Sequence, residues 1–175
     1  MDIFPIGLPD IYNMEKIEIF TDGSAKGNPG RGGFGAILRY KGKVKELSQG
    51  FRLTTNNRME LLAVIVALES LKTNEIPVKI YSDSKYVLDS ITKNWIFNWQ
   101  KTGFKGKKNA DLWKRYLLLH PKFNLEFEWV RGHNGHSENE RCDFLAVNAS
   151  DVGNLLVDEQ YEIENGAANS KKGLF

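Results

Sequence analysis

Four carboxylates occupy four separate motifs: Asp22 in TDGS, Glu60 in TTNNRMEL, Asp83 in YSDSKY and Asp143 in ENERCD. Clustered carboxylates are what hard, oxygen-preferring divalent cations require. Two such ions held about 4 Å apart activate water and stabilise the leaving oxygen of a phosphodiester, which is the chemistry of cutting nucleic acid. Each acid also has a plainer use. Asp22 before glycine can shape a turn, Glu60 can be the N3 partner of an Asn57 cap, and Asp83 and Asp143 can be solvated helix-end charges. Asp22 and Asp83, however, both end predicted strands, and ligands gather at the carboxyl edge of adjacent strands in open sheets.

The elements that must position these groups follow from periodicity. Ile17, Ile19 and Thr21 alternate with Glu18, Phe20 and Asp22, so a strand carries Asp22 at its end. GFGAILRY and VKELSQGFRL, joined through Lys41-Gly42-Lys43, read as two further antiparallel strands. From Asn57 onward Met59, Leu62, Ala63 and Val66 fall at helical spacing, with apolar neighbours that imply a helix buried on most sides. Val78 to Asp83 reads as a strand, and Ser84 caps a helix through Tyr86, Val87 and Ile91. A helix over Ala110 to Leu119 precedes a fifth strand in FNLEFEWV. After RGHNGH, Ser137 and Glu140 have capping-box spacing and begin a helix that carries Asp143.

A chain of 175 residues supports one domain with a proper core. Residues 1–15 read as an arm, 16–150 as the domain, and 151–175, which lose all periodicity, as a flexible tail. The 41% hydrophobic and 26% charged fractions exclude a disordered or fibrous chain. A net charge of +2 makes no global case for nucleic acid, so any such case rests on local clustering. One cysteine, Cys142, with no zinc-type spacing fits a reducing, cytoplasmic setting. The chain has neither signal-peptide features nor an apolar run long enough for a membrane helix.

The strings IFTDGSAKGNPGRGGFGAILRY, TTNNRMEL, YSDSKYV and WVRGHNGHSENERCDFLA resemble, in order and spacing, the bacterial type 1 ribonuclease H family over about Lys16 to Ser150. The resemblance implies an α/β fold with a five-stranded mixed sheet, three antiparallel strands followed by two parallel ones, flanked by helices. It implies that Asp22, Glu60, Asp83 and Asp143 bind two Mg²⁺ ions, with Mn²⁺ a possible substitute. The implied reaction is endonucleolytic cleavage of the RNA strand of an RNA/DNA hybrid by a monomer, leaving a 5′-phosphate and a 3′-hydroxyl. His133 matches a loop histidine that assists proton transfer or product release; an indifferent exposed histidine is the alternative.

Asn28, Asn56 and Asn57 match positions that contact the hybrid's minor groove and backbones, and Thr55 matches part of a pocket for a DNA-strand phosphate. Turn formation by Asn28 and capping by Asn57 are compatible with those roles. Between Lys93 and Ala110 there is no acid, and Lys101, Lys105, Lys107 and Lys108 crowd with Trp95, Trp99 and Phe104. This segment resembles the family's basic protrusion in a shorter form, although the tryptophans also suit packing of an amphipathic helix. Lys85 departs from the glutamine common in relatives. With 15 residues before Lys16, low processivity is expected, since the hybrid-binding module of many eukaryotic relatives has no counterpart. The terminal SKKGLF faintly resembles tails that dock on sliding clamps. Two other classes compete: transposases, integrases and resolvases on the same fold, against which the TDGS, NNRMEL and GHNGH motifs argue, and a catalytically dead hybrid-binding domain, against which the complete carboxylate set argues.

Overall fold

A computed structural model describes residues 15–132 and 135–166. The elements are β1 (Ile17–Ala25), β2 (Gly30–Tyr40), β3 (Lys43–Thr54), α1 (Asn56–Glu69), β4 (Val78–Ser82), α2 (Lys85–Thr92), α3 (Trp95–Lys101), α4 (Ala110–Leu119), β5 (Leu125–Trp129), α5 (Ser137–Val152) and α6 (Glu159–Glu164). The sheet order is β3-β2-β1-β4-β5. β1, β2 and β3 pair antiparallel, while β4 lies parallel to β1 and β5 parallel to β4. This is the mixed α/β sheet expected from the sequence.

Side-chain alternation sends the two faces of β1 into different cores. Ile17 and Ile19 join a large cluster with α1, α2 and α4, whereas Phe20 packs with Ile37, Cys142 and Leu145 under α5. The β2–β3 hairpin turns on two residues, Lys41 and Gly42, both at positive φ (48° and 74°), the signature of a turn matched to strand twist. At the other end of β1, Gly23 admits α1: a Cβ there would collide with the backbone of Met59 and Glu60.

Four local expectations need correction. β1 does not end at Asp22 but runs on to Ala25, with Asp22 opposite Gly35 of β2. The N-cap of α1 is Thr55, whose hydroxyl accepts from the Arg58 amide at 3.3 Å, so Asn57 lies inside the helix and not at its cap. The Ser137–Glu140 capping box does not form; His136 is the cap residue and the Ser137 hydroxyl donates to Glu138 instead. Residues 151–166 are not a tail. α5 runs through Val152, Leu156 bridges to Phe51 at the edge of β3, and α6 follows. SKKGLF lies outside the described residues.

This segment is held by the Leu156 bridge, by a bidentate Arg52–Glu162 pair and by a buried long-range ion pair. Arg58, 2% exposed, donates to both oxygens of Asp158, each at 2.7 Å, and to both oxygens of Asp111 at 2.9 and 2.7 Å. Thr54 adds a hydrogen bond to Asp158 at 2.8 Å, and the Tyr161 ring lies 5.8 Å from the guanidinium. Burial by itself would depress the Arg58 guanidinium, but hydrogen bonds and charge from Asp111 and Asp158 more than reverse this and raise it. A buried cation deprived of one partner is costly. Asp158→Ala is therefore expected to lower unfolding free energy by about 3 kcal/mol, read as a shift of the urea midpoint at unchanged m-value. A midpoint within error of the wild type would show that the C-terminal segment does not depend on this pair.

Candidate metal centre and nucleic-acid interface

The parallel pairing of β1 with β4 ends at Thr21 opposite Ser82, so the next residues, Asp22 and Asp83, emerge side by side at the carboxyl edge. The Asp83 turn is braced from two sides. The Ser84 amide donates to the Ser82 hydroxyl at 3.1 Å, and the Trp129 indole N–H donates to the Asp83 carbonyl at 3.1 Å. Glu60 arrives from the first turns of α1, brought close by the Gly23 contact. Carboxylate oxygens of Asp22, Glu60 and Asp83 lie within 4.8 Å of one another. Asp143, on α5, borders the same cleft without joining that tight trio.

This concentration of negative charge perturbs the groups strongly. Burial, followed by repulsion from Asp83 and Asp143, pushes Asp22 up to about 7, against partial relief from the Gly23 amide, which donates to Asp22 Oδ1 at 2.9 Å. Burial and then the charges of Asp22 and Asp83 raise Glu60 well above the carboxylate range. Burial and mutual repulsion therefore raise both carboxyls, so the pair holds a proton more readily than separate carboxylates would. Glu60 Oε2 is out of reach of solvent and has no hydrogen-bond partner among the described residues. An orphaned buried oxygen amid raised carboxylates is the donor set a hard divalent cation would satisfy.

Beside the metal cleft lies a second concavity lined by Asn28, Thr55, Asn57, Lys107, Lys108 and Asn109. Asn28 Oδ1 accepts from the Asn56 amide at 3.0 Å, and Asn56 Oδ1 accepts from the Ala25 amide, so these amides build the loop that frames the concavity. Asn57 lines both this concavity and the metal cleft. Lys107 and Lys108 are gathered there, whereas Lys101 and Lys105 stay exposed outside it. The aromatics divide similarly: Trp99 packs edge-on against buried Trp113, and Trp95 is 42% exposed. His133 lies outside the described residues. Sequence reasoning missed Asn109, whose amide donates to the Tyr86 hydroxyl at 2.9 Å, and α6, which contributes Tyr161 and Glu164 to the same wall. No local signal marks these residues, because α6 is brought there by long-range contacts: Arg58 to Asp158, Arg52 to Glu162 and the Leu156–Phe51 bridge.

The ribonuclease H family matches residues 14–151. Ribonuclease H of Rippkaea orientalis is 52% identical over 153 residues, covering 85% of this chain and 93% of that one; ribonuclease H of Serratia proteamaculans is 55% identical over 142 residues, covering 78% and 90%. The chain belongs to the ribonuclease H family. Its bacterial relatives place it with the type 1 enzymes of that family. Among solved structures, LC9-RNase H1, described as a type 1 RNase H with the type 2 active-site motif, superposes with TM-score 0.70 at 29% identity, covering 90% of this chain and 85% of that one. LC11-RNase H1 in complex with an RNA/DNA hybrid gives TM-score 0.60 at 27% identity, covering 78% and 97%. The ribonuclease H match ends before Asp158, so α6 is an addition to the region that defines the family here.

A raised carboxyl means that the folded chain keeps a proton the unfolded chain has already released, so stability falls as pH rises between the two values. For Asp22 that window runs from 3.8 to about 7, and Glu60 adds to it with the same sign. Metal-free Asp22→Asn protein is thus expected to be more stable than wild type at pH 7, by on the order of 2 kcal/mol, with the difference shrinking toward pH 5. Added Mg²⁺ should stabilise wild type and leave the variant nearly unchanged. Thermal midpoints with and without EDTA would check both statements; a pH-independent difference would mean the carboxylates do not repel one another as placed.

Proposed function

We propose that this chain is an endonuclease that hydrolyses the RNA strand of RNA/DNA hybrids, using two Mg²⁺ ions, with Mn²⁺ as substitute, and leaving 5′-phosphate and 3′-hydroxyl ends. The observation that carries the reading is the convergence of Asp22, Glu60 and Asp83 within 4.8 Å at the sheet's carboxyl edge, with one Glu60 oxygen buried and unpartnered. Family membership supports it, as does the likeness to a relative solved with a hybrid.

Asp22, Glu60, Asp83 and Asp143 would hold the ions. Bound there, divalent cations make water a competent nucleophile near neutral pH and neutralise charge on the departing 3′-oxygen. The chain's own contribution is geometry: β1, the turn after β4, α1 and α5 hold the carboxylates, and the raised carboxyls would have to release their protons for the site to be loaded. His133 is assigned to proton transfer or product release.

The interface supplies recognition. The hybrid differs from duplex DNA in its 2′-hydroxyls, both donors and acceptors in a wide, shallow groove, and Asn28, Asn56 and Asn57 are the small amides suited to read them. Thr55 and the neighbouring Lys107 and Lys108 suit a backbone phosphate, while Lys101, Lys105, Trp95 and Trp99 extend the contact as the basic arm. The protein is proposed to act in the cytoplasm as a monomer; among the described residues no helix is long and apolar enough to cross a membrane.

The test is Mg²⁺-dependent cleavage of an end-labelled hybrid beside duplex RNA, duplex DNA and single-stranded RNA. Hybrid-only, EDTA-sensitive cutting is expected, with Asp22→Asn slower by at least about a hundredfold. Binding without cutting in either Mg²⁺ or Mn²⁺ would leave a hybrid-binding module. Replacing Lys101, Lys105, Lys107 and Lys108 together by glutamine should raise KM and flatten its salt dependence, by a slope of up to about 0.9 for each phosphate no longer neutralised. Unchanged kinetics across a salt titration would remove this segment from binding.

A further inference from the structure

Lys85 occupies the first helical position of α2 and lines the same cleft as Asp22, Glu60, Asp83 and Asp143. The positive end of the helix dipole disfavours a cation at this position. Its ammonium lies 5.3 Å from the centre of the Trp129 ring. Trp129 is 48% exposed, yet it is fixed by its indole hydrogen bond to the Asp83 carbonyl. An exposed tryptophan that is anchored to the metal-ligand turn and carries a cation on its face is a prepositioned contact and not core packing. The other charged groups lining the cleft are carboxylates, which repel a nucleic-acid backbone wherever they are not neutralised.

Resting on the ribonuclease reading above, we propose that Lys85, seated on Trp129, binds a backbone phosphate of the cleaved strand next to the scissile one. A strand whose scissile phosphate sits at the carboxylates must pass the cleft's rim, where Lys85 stands. Being a phosphate contact, it adds affinity uniformly across sequences and adds about one counterion to the salt dependence. Trp129 is its positioning residue, restricting the ammonium to the rim and presenting an aromatic face to the adjoining sugar.

Full-length wild type, Lys85→Gln, Lys85→Arg and Trp129→Leu would be compared by binding of a labelled hybrid in EDTA over a salt series, and by kcat and KM in Mg²⁺. Lys85→Gln should weaken binding about two- to fivefold and reduce the magnitude of the log Kd against log salt slope by about 0.7 to 0.9. Its kcat should stay within twofold, and Lys85→Arg should restore the slope. Trp129→Leu should raise KM while keeping the wild-type slope, because the charge remains and only its placement changes. An unchanged slope in Lys85→Gln would overturn the proposal, as would a fall in kcat at unchanged KM, which would put the ammonium on the carboxylates. If wild type neither binds nor cuts the hybrid, the ribonuclease reading fails; if it does both while Lys85→Gln keeps the slope, only the Lys85 assignment falls.

Discussion

Burial of mutually repelling carboxylates is the constraint on which the cleft depends. Asp22 and Glu60 are raised far above their ordinary values first by burial and then by charge, from Asp83 and Asp143 on Asp22 and from Asp22 and Asp83 on Glu60. Holding them there requires elements that cannot relax apart. The parallel β1–β4 ladder fixes two of them, and the close approach of α1 at Gly23 fixes the third. Such an arrangement costs stability without a cation, and a bound cation would restore it, which would tie the fold's energetics to its chemistry.

A second electrostatic device works in the opposite sense. Arg58 lies two residues before Glu60 on α1, and its guanidinium is saturated by Asp111 on α4 and Asp158 beyond α5. The pairing pins the start of α1, and with it Thr55, Asn56, Asn57 and Glu60, against α4 and α6. One helix terminus thereby serves both the metal cleft and the neighbouring concavity. Displacement of α1 would disturb both at once, so the C-terminal segment, which contributes Tyr161 and Glu164 to the concavity, supports it although α6 lies outside the family match.

Much of the fold was legible because its elements are marked by local periodicity. The alternation in β1, the helical spacing in α1 and the apolar strand before Asp83 are properties of neighbouring residues, and the structure carries all three. The capping details were less legible. Thr55 and Asn57 are both competent caps, and only the backbone path out of β3 selects Thr55. The order of residues 151–166 was not legible at all: Asp158 looks like any acid in a polar stretch until Arg58, 100 residues earlier, is beside it.

By itself the sequence determined which residues could do chemistry and on which elements they stand, since residue type and short-range spacing are local facts. The tertiary structure alone decided that Asp22, Glu60 and Asp83 form a tight trio while Asp143 borders it, that Lys107 and Lys108 separate from Lys101 and Lys105, and that Lys85 rests on Trp129. These are distances between residues far apart in the chain. They follow from strand register and helix packing, which burial of the whole core selects and no local pattern encodes.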